Sequence, residues 1–73
     1  MSPALSDLPV RKVTRALESV GFSCVRTKGS HAVRRNRGRV AVIPRHGVVK
    51  RGALASVLRQ AGLAPAEFLK LLD

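Results

Sequence analysis

The sequence predicts an α+β domain, a three-stranded antiparallel sheet with helices on one face. Two observations predict it. Apolar residues recur at helical spacing at both ends of the 73-residue chain, near 9–20 and again across 52–72. Between them lie three short runs rich in strand-forming residues, separated by glycine-containing turns of hairpin length. A chain of this length is expected to be a single domain, residues 1–73. Such a chain buries only roughly 60% of its unfolded surface, so any chemistry is expected on an exposed surface or shallow groove.

Residues 1–8 read as a lead-in, with Asp7 a plausible helix N-cap and Pro9 suited to a first helical turn. Val10, Val13, Leu17 and Val20 recur at i, i+3, i+7 and i+10, which predicts a helix from Pro9 to Val20 stopped by Gly21. Phe22 to Lys28 reads as a first strand and Gly29-Ser30 as a turn. Ser30 to Arg35 reads as a second strand, followed by an Asn36-Arg37-Gly38 hairpin loop. Arg39 to Ile43 makes a third strand, ended by Pro44. Along the second strand His31, Val33 and Arg35 share one face, and Ala32 and Arg34 the other. Neither face is cleanly apolar, so alternation does not select the one the helices cover. Arg45 to Arg51 reads as a basic loop containing His46 and Gly47. Leu54, Val57, Leu58 and Ala61 form the apolar stripe of a second helix ending at Gly62. Ala64 to Leu72 reads as a short last helix, with Pro65 near its first turn and Phe68, Leu69 and Leu72 on one side. The α-β-β-β-α order is that of the double-stranded-RNA-binding domain.

The charge balance points to a partner. Lys and Arg number 14 against 4 Asp and Glu, a formal net charge of +10. Such an excess is the footprint of a nucleic acid, with an anionic membrane surface or an acidic protein as alternatives. Arginine supplies most of it, and arginine grips phosphate bidentately. The single cysteine, Cys24, excludes an intrachain disulfide and fits a reducing cytoplasm. Cys24 follows Phe22 in an apolar strand pattern and is expected to be a small buried hydrophobe. Met1 to Leu8 lacks the pattern of an export signal, and no stretch approaches membrane-spanning length, which predicts a soluble cytoplasmic protein. The two aromatic residues, Phe22 and Phe68, sit in apolar patterns, so base stacking on surface aromatics is disfavoured.

Lys28-Gly29-Ser30-His31 carries the candidate chemistry. Histidine is the one side chain whose unperturbed pKa of about 6.5 lets it both give and take a proton near neutrality. His31 sits among Arg26, Lys28, Arg34, Arg35, Arg37 and Arg39, a candidate acid–base group facing a polyanion. Metal-assisted phosphodiester cleavage needs converging carboxylates. The only acids are Asp7, Glu18, Glu67 and Asp73, and none falls in the three strands. No metal-binding cysteine–histidine spacing exists, and no cofactor is expected. RNA cleavage without metal needs a base for the 2′-hydroxyl, an acid for the leaving oxygen and cations for the phosphate, types that this segment supplies. His46 is either a second member of an acid–base pair or a loop residue that bonds the backbone or caps a helix end.

The chain resembles the HicA family of toxin–antitoxin toxins, small RNA-cleaving proteins with a double-stranded-RNA-binding-like fold. Five short blocks carry the resemblance, in order along nearly the whole chain. They are Gly21-Phe22, then Arg26-x-Lys28-Gly29-Ser30-His31, then Val42 to His46, then Gly52 to Leu63, then Glu67-Phe68-Leu69. The resemblance implies that His31 is the catalytic histidine. It also implies a HicB-type antitoxin that covers the active surface. Two positions depart from the family pattern. The loop Gly47 to Arg51 lacks the usual acidic residue, and the position after the histidine, often larger, is Ala32.

The first expectation is therefore an mRNA interferase, a metal-independent endoribonuclease that blocks translation. His31 is its acid–base group, and Arg26, Lys28, Gly29, Ser30, Arg34, Arg35, Arg37 and His46 contact the RNA. The free toxin is expected to be a monomer. Its antitoxin is expected to bury His31, with Arg34, Arg35 or Arg37 meeting the partner's carboxylates. The alternatives are a non-catalytic double-stranded-RNA-binding module using Lys50-Arg51, and a DNA-binding regulator using Gly52 to Gly62 as recognition helix.

Overall fold

The computed structural model describes residues 5–72. The start of the lead-in and Asp73, one of the four acids, lie outside the described residues. The element order is β1 (Leu8–Pro9), α1 (Val10–Ser19), β2 (Ser23–Lys28), β3 (His31–Asn36), β4 (Arg39–Pro44), β5 (Val48–Val49), α2 (Arg51–Ala61) and α3 (Pro65–Leu71). The three long strands form one antiparallel sheet in the order β2-β3-β4. The expected α+β, double-stranded-RNA-binding-like architecture is present, and the helix and strand boundaries fall within two residues of the expected ones at most ends. Among the described residues no helix is long and apolar enough to cross a membrane.

The sheet face left open by alternation is settled by pairing. Ala32 lies opposite Ile43, and Arg34 opposite Ala41, in the β3–β4 register. Ala32, Ala41 and Ile43 are buried against the helices. This face therefore points inward. His31, Val33 and Arg35 fall on the other face with Val40 and Val42, which stay exposed to solvent. The core is built from the α1 stripe Val10, Val13, Ala16 and Leu17, the α2 stripe Leu54, Val57, Leu58 and Ala61, the inward strand residues, and Phe22, Val49 and Phe68. Both phenylalanines are core, as their apolar surroundings in sequence imply.

Sequence-local signals close the helices. At the end of α1 the Gly21 N–H donates to the Glu18 carbonyl (3.0 Å) and the Phe22 N–H to the Leu17 carbonyl (3.0 Å). This paired pattern satisfies two of the carbonyls that a helix end leaves unbonded. A third, that of Val20, accepts from Asn36 Nδ2 at 2.9 Å, so the end of β3 clasps the end of α1. The α2 helix stops at Gly62, which takes a left-handed φ of 74°. Glu67 Oε1 accepts the Ala64 N–H at 3.0 Å at the start of α3.

Three expectations are corrected. Asp7 does not cap α1, whose N-cap is Pro9. The two-residue β1 pairs with β5, Leu8 opposite Val49 and Pro9 opposite Val48. That pairing carries Asp7 past the start of α1 to the start of α2. There its Oδ1 accepts the Arg51 N–H at 2.7 Å, and its Oδ2 lies 3.7 Å from Lys50 Nζ. The basic loop Arg45 to Arg51 is thus partly strand, held to the N-terminal segment. Cys24 is exposed rather than buried. It faces the helix side, but β2 is the outer strand and α1 does not reach over it, so all six β2 residues remain exposed. A register shift between Cys24 and Arg26 leaves Val25 without a partner, a bulge that blunts this free edge. The opposite edge is covered, since α2 packs along β4 and Gln60 Oε1 accepts the Val42 N–H at 3.0 Å.

Candidate functional site

The hairpin between β2 and β3 turns on Gly29-Ser30, with Gly29 at a left-handed φ of 59°. His31 is the first residue of β3, exposed, with Lys28 directly across on β2 and Pro44 directly across on β4. Its Nδ1 lies 3.3 Å from Ser30 Oγ. The turn is fastened from β4. The Arg45 N–H donates to the Ser30 carbonyl at 2.8 Å, and Arg45 Nη1 donates to the Gly29 carbonyl at 3.3 Å. Arg45 thus fixes both backbone carbonyls of the turn that presents His31. It belongs to the Val42 to His46 block but had no assigned role in the sequence. What identifies it is its place two residues after Ile43, the expected end of the third strand, beside a histidine, where the chain leaving β4 meets the hairpin tip.

The structure divides the expected RNA-contacting residues between two surfaces. Lys28 pairs with His31 and Arg26 with Val33, so both share the open sheet face with His31 and Arg35. Arg37 stands exposed at the far turn, φ 58°, away from the Gly29-Ser30 end. Arg34 lies on the inward face. Its side chain is 12% exposed and its Nη1 donates to Glu18 Oε2 at 3.2 Å. His46 is exposed beyond the end of β4, with α1 as its neighbour across the groove. The Val10 N–H donates to the Gly47 carbonyl at 2.9 Å, which pins the His46 loop to the start of α1.

Between α1 and the inward side of β3 runs an open groove of about 670 Å³, lined among others by Arg11, Thr14, Arg15, Glu18, Arg34, Arg45 and His46. A smaller extension of about 210 Å³ reaches Cys24 and Thr27 on β2. His31 lines neither. Arg45 belongs to both surfaces, lining the groove while bonding the turn beside His31.

The described carboxylates are all engaged in structural contacts: Asp7 at the start of α2, Glu18 on Arg34, Glu67 on the Ala64 N–H. Among the described residues no three His, Cys, Asp or Glu side chains come together. The arrangement offers one exposed imidazole on a turn held from three strands, with cations on either side. It suits proton transfer at a phosphodiester more than base recognition, because both phenylalanines are buried and none is exposed there.

Comparison with known proteins adds one finding. The family model described as the HicA toxin of bacterial toxin–antitoxin systems matches residues 10–63. No curated protein and no solved structure gave a match. The matched span runs from the first residue of α1 to just past α2, and so takes in the His31 turn, Arg45 and both walls of the groove. The chain belongs to the HicA family, the toxins of bacterial toxin–antitoxin systems.

Proposed function

We propose that this toxin is an mRNA interferase, a cytoplasmic endoribonuclease that works without metal or cofactor and uses His31 for proton transfer. The observation that carries the reading is an exposed histidine on a clamped cationic turn in a chain of the HicA family. His31 takes the proton of an RNA 2′-hydroxyl, whose oxygen attacks the adjacent phosphorus. The bond to the 5′-oxygen breaks, and that oxygen takes the proton back from the imidazolium that His31 has become, so that it leaves as a hydroxyl and the neutral imidazole is restored. The products are a 2′,3′-cyclic phosphate and a 5′-hydroxyl end. Lys28, across the strand pair from His31, and Arg26 beyond it balance the charge that grows on the phosphoryl oxygens. DNA lacks the attacking hydroxyl and is not cleaved.

The same reading takes residues 1–73 as one toxin domain, monomeric when free, and assigns its control to a HicB-type antitoxin docked over the open sheet face. The test is cleavage of RNA by the purified toxin in EDTA. Cleavage in EDTA with cyclic-phosphate ends supports the reading. Activity that disappears in EDTA and returns with magnesium, or equal cleavage of DNA, contradicts it. A recognition-helix role for α2 finds little support, since Gln60 is spent on the Val42 N–H and Arg59 on Ser56.

A further inference from the structure

We infer that the groove between α1 and β3 binds the phosphates of the RNA strand as it continues past His31, and that Glu18 occupies one phosphate position until RNA displaces it. The inference rests on the reading of this toxin as an RNA-cleaving enzyme and adds a binding site on the far side of the sheet from the histidine.

Charge is the first ground. Four arginines, Arg11, Arg15, Arg34 and Arg45, and His46 line this groove with a single carboxylate, Glu18. Arg11 and Arg15 stand one turn apart on α1, about 6 Å along the axis, close to the separation of successive phosphates in a strand. Both are exposed and make no ion pair among the described residues. Continuity is the second ground. Arg45 lines the groove and also bonds the Gly29 carbonyl, one residue from Ser30 and two from His31. A strand crossing the tip of the hairpin passes Arg45 and enters the groove without a gap in positive charge.

The Arg34–Glu18 pair is the third ground. Arg34 Nε is buried with no hydrogen-bond partner, although guanidinium donors are rarely left so. Glu18 meets Arg34 through one nitrogen only and is itself 55% exposed, so it is free to swing into solvent. A phosphate presents oxygens in the fork geometry that guanidinium favours. Replacing Glu18 by a phosphate keeps Arg34 neutralised and removes a like charge from the path. The two phenylalanines are both buried, so the groove has no phenylalanine platform for bases, and its arginines contact the backbone of the strand.

The experiment measures binding of a single-stranded RNA oligonucleotide to the full toxin carrying His31→Ala, which leaves the RNA intact, across a series of salt concentrations. In that background Arg11→Gln with Arg15→Gln should lower affinity by at least about tenfold. The slope of log affinity against log salt should fall by about 0.7 for each lost contact. Glu18→Gln should raise affinity about twofold to fivefold. Arg59→Gln with Lys70→Gln removes the same charge from residues that do not line the groove and should change affinity less. The single variants Arg11→Gln and Arg15→Gln settle the matter if the double variant melts early. Affinity and slope unchanged in all three arginine variants overturn the inference. If the same variants then lose antitoxin binding, the groove belongs to an acidic protein segment instead. Because binding is read on uncleaved RNA, weakened binding by these variants sustains the groove even if wild-type toxin cleaves nothing, which would sink the catalytic reading alone.

Discussion

Two glycines separate backbone strain from crowding. Gly29 and Gly62 both hold left-handed φ values, 59° and 74°. A Cβ on Gly29 would meet nothing within 4 Å, whereas one on Gly62 would run into the Arg39 guanidinium. Gly29→Ala should therefore cost only the backbone term, about 1–2 kcal/mol, and Gly29→Asn less, since asparagine tolerates this region. Gly62→Ala carries the same term, and the Arg39 guanidinium it meets is the far end of an exposed, flexible side chain that can move aside, so it should cost about as much. Thermal melts of the three variants check the order. Gly62→Ala melting well below Gly29→Ala would show instead that Arg39 is held in place and that crowding adds to the backbone cost. At the same scale Arg35 and Arg37, not Arg34, remain available on the exposed surface to an acidic partner, because Arg34 is turned inward to Glu18.

Among the elements, the helices and the three strands were legible because each carries its own period and its own stop. Val10, Val13 and Leu17 write α1, and Gly21 and Gly62 end two helices where they stand. What was not legible depends on pairing between distant segments. Asp7 has the composition and position of a cap for α1, yet it caps a helix 44 residues away because β1 pairs with β5. Two-residue strands leave no periodic signal. Cys24 was misjudged because alternation gives the face of a strand but not whether a helix covers it. The His31 turn was legible as a motif, whereas its clamp by Arg45 required the register that sets Pro44 against His31. Asp7→Ala tests the long-range cap. Losing a capping acceptor costs about 1 kcal/mol, which in a domain of this size lowers the melting temperature by about 4–8 °C. The melting loss should be matched by faster amide exchange in the first turn of α2 rather than of α1. Exchange that rises in α1 instead would return Asp7 to the role its sequence position suggests.

For the whole molecule, a net charge of +10 over 73 residues makes RNA binding an electrostatic matter. Affinity for single-stranded RNA should fall by about 0.7 log units per log of salt for each phosphate contacted. Affinity that stays flat between low and physiological salt would mean that the charge serves a protein partner. The open sheet face, with Val40 and Val42 exposed beside His31, Arg26, Lys28 and Arg35, combines apolar area with cations, a surface suited to an acidic antitoxin. Arg35→Glu should weaken toxin–antitoxin binding by at least about tenfold, as expected when one partner of an interfacial charge pair is reversed. Equal affinity would place the antitoxin elsewhere.

The central claim, that His31 transfers the proton, is tested by one assay: RNA cleavage by wild-type and His31→Ala toxin in EDTA, on preparations whose melting temperatures are measured alongside. His31 is exposed and outside the core, so the variant should melt with the wild type. Loss of an acid–base group removes about 10²- to 10⁴-fold of the rate. The account predicts a folded variant with cleavage reduced at least a hundredfold and RNA affinity almost unchanged. A folded His31→Ala toxin that cleaves at the wild-type rate would contradict it.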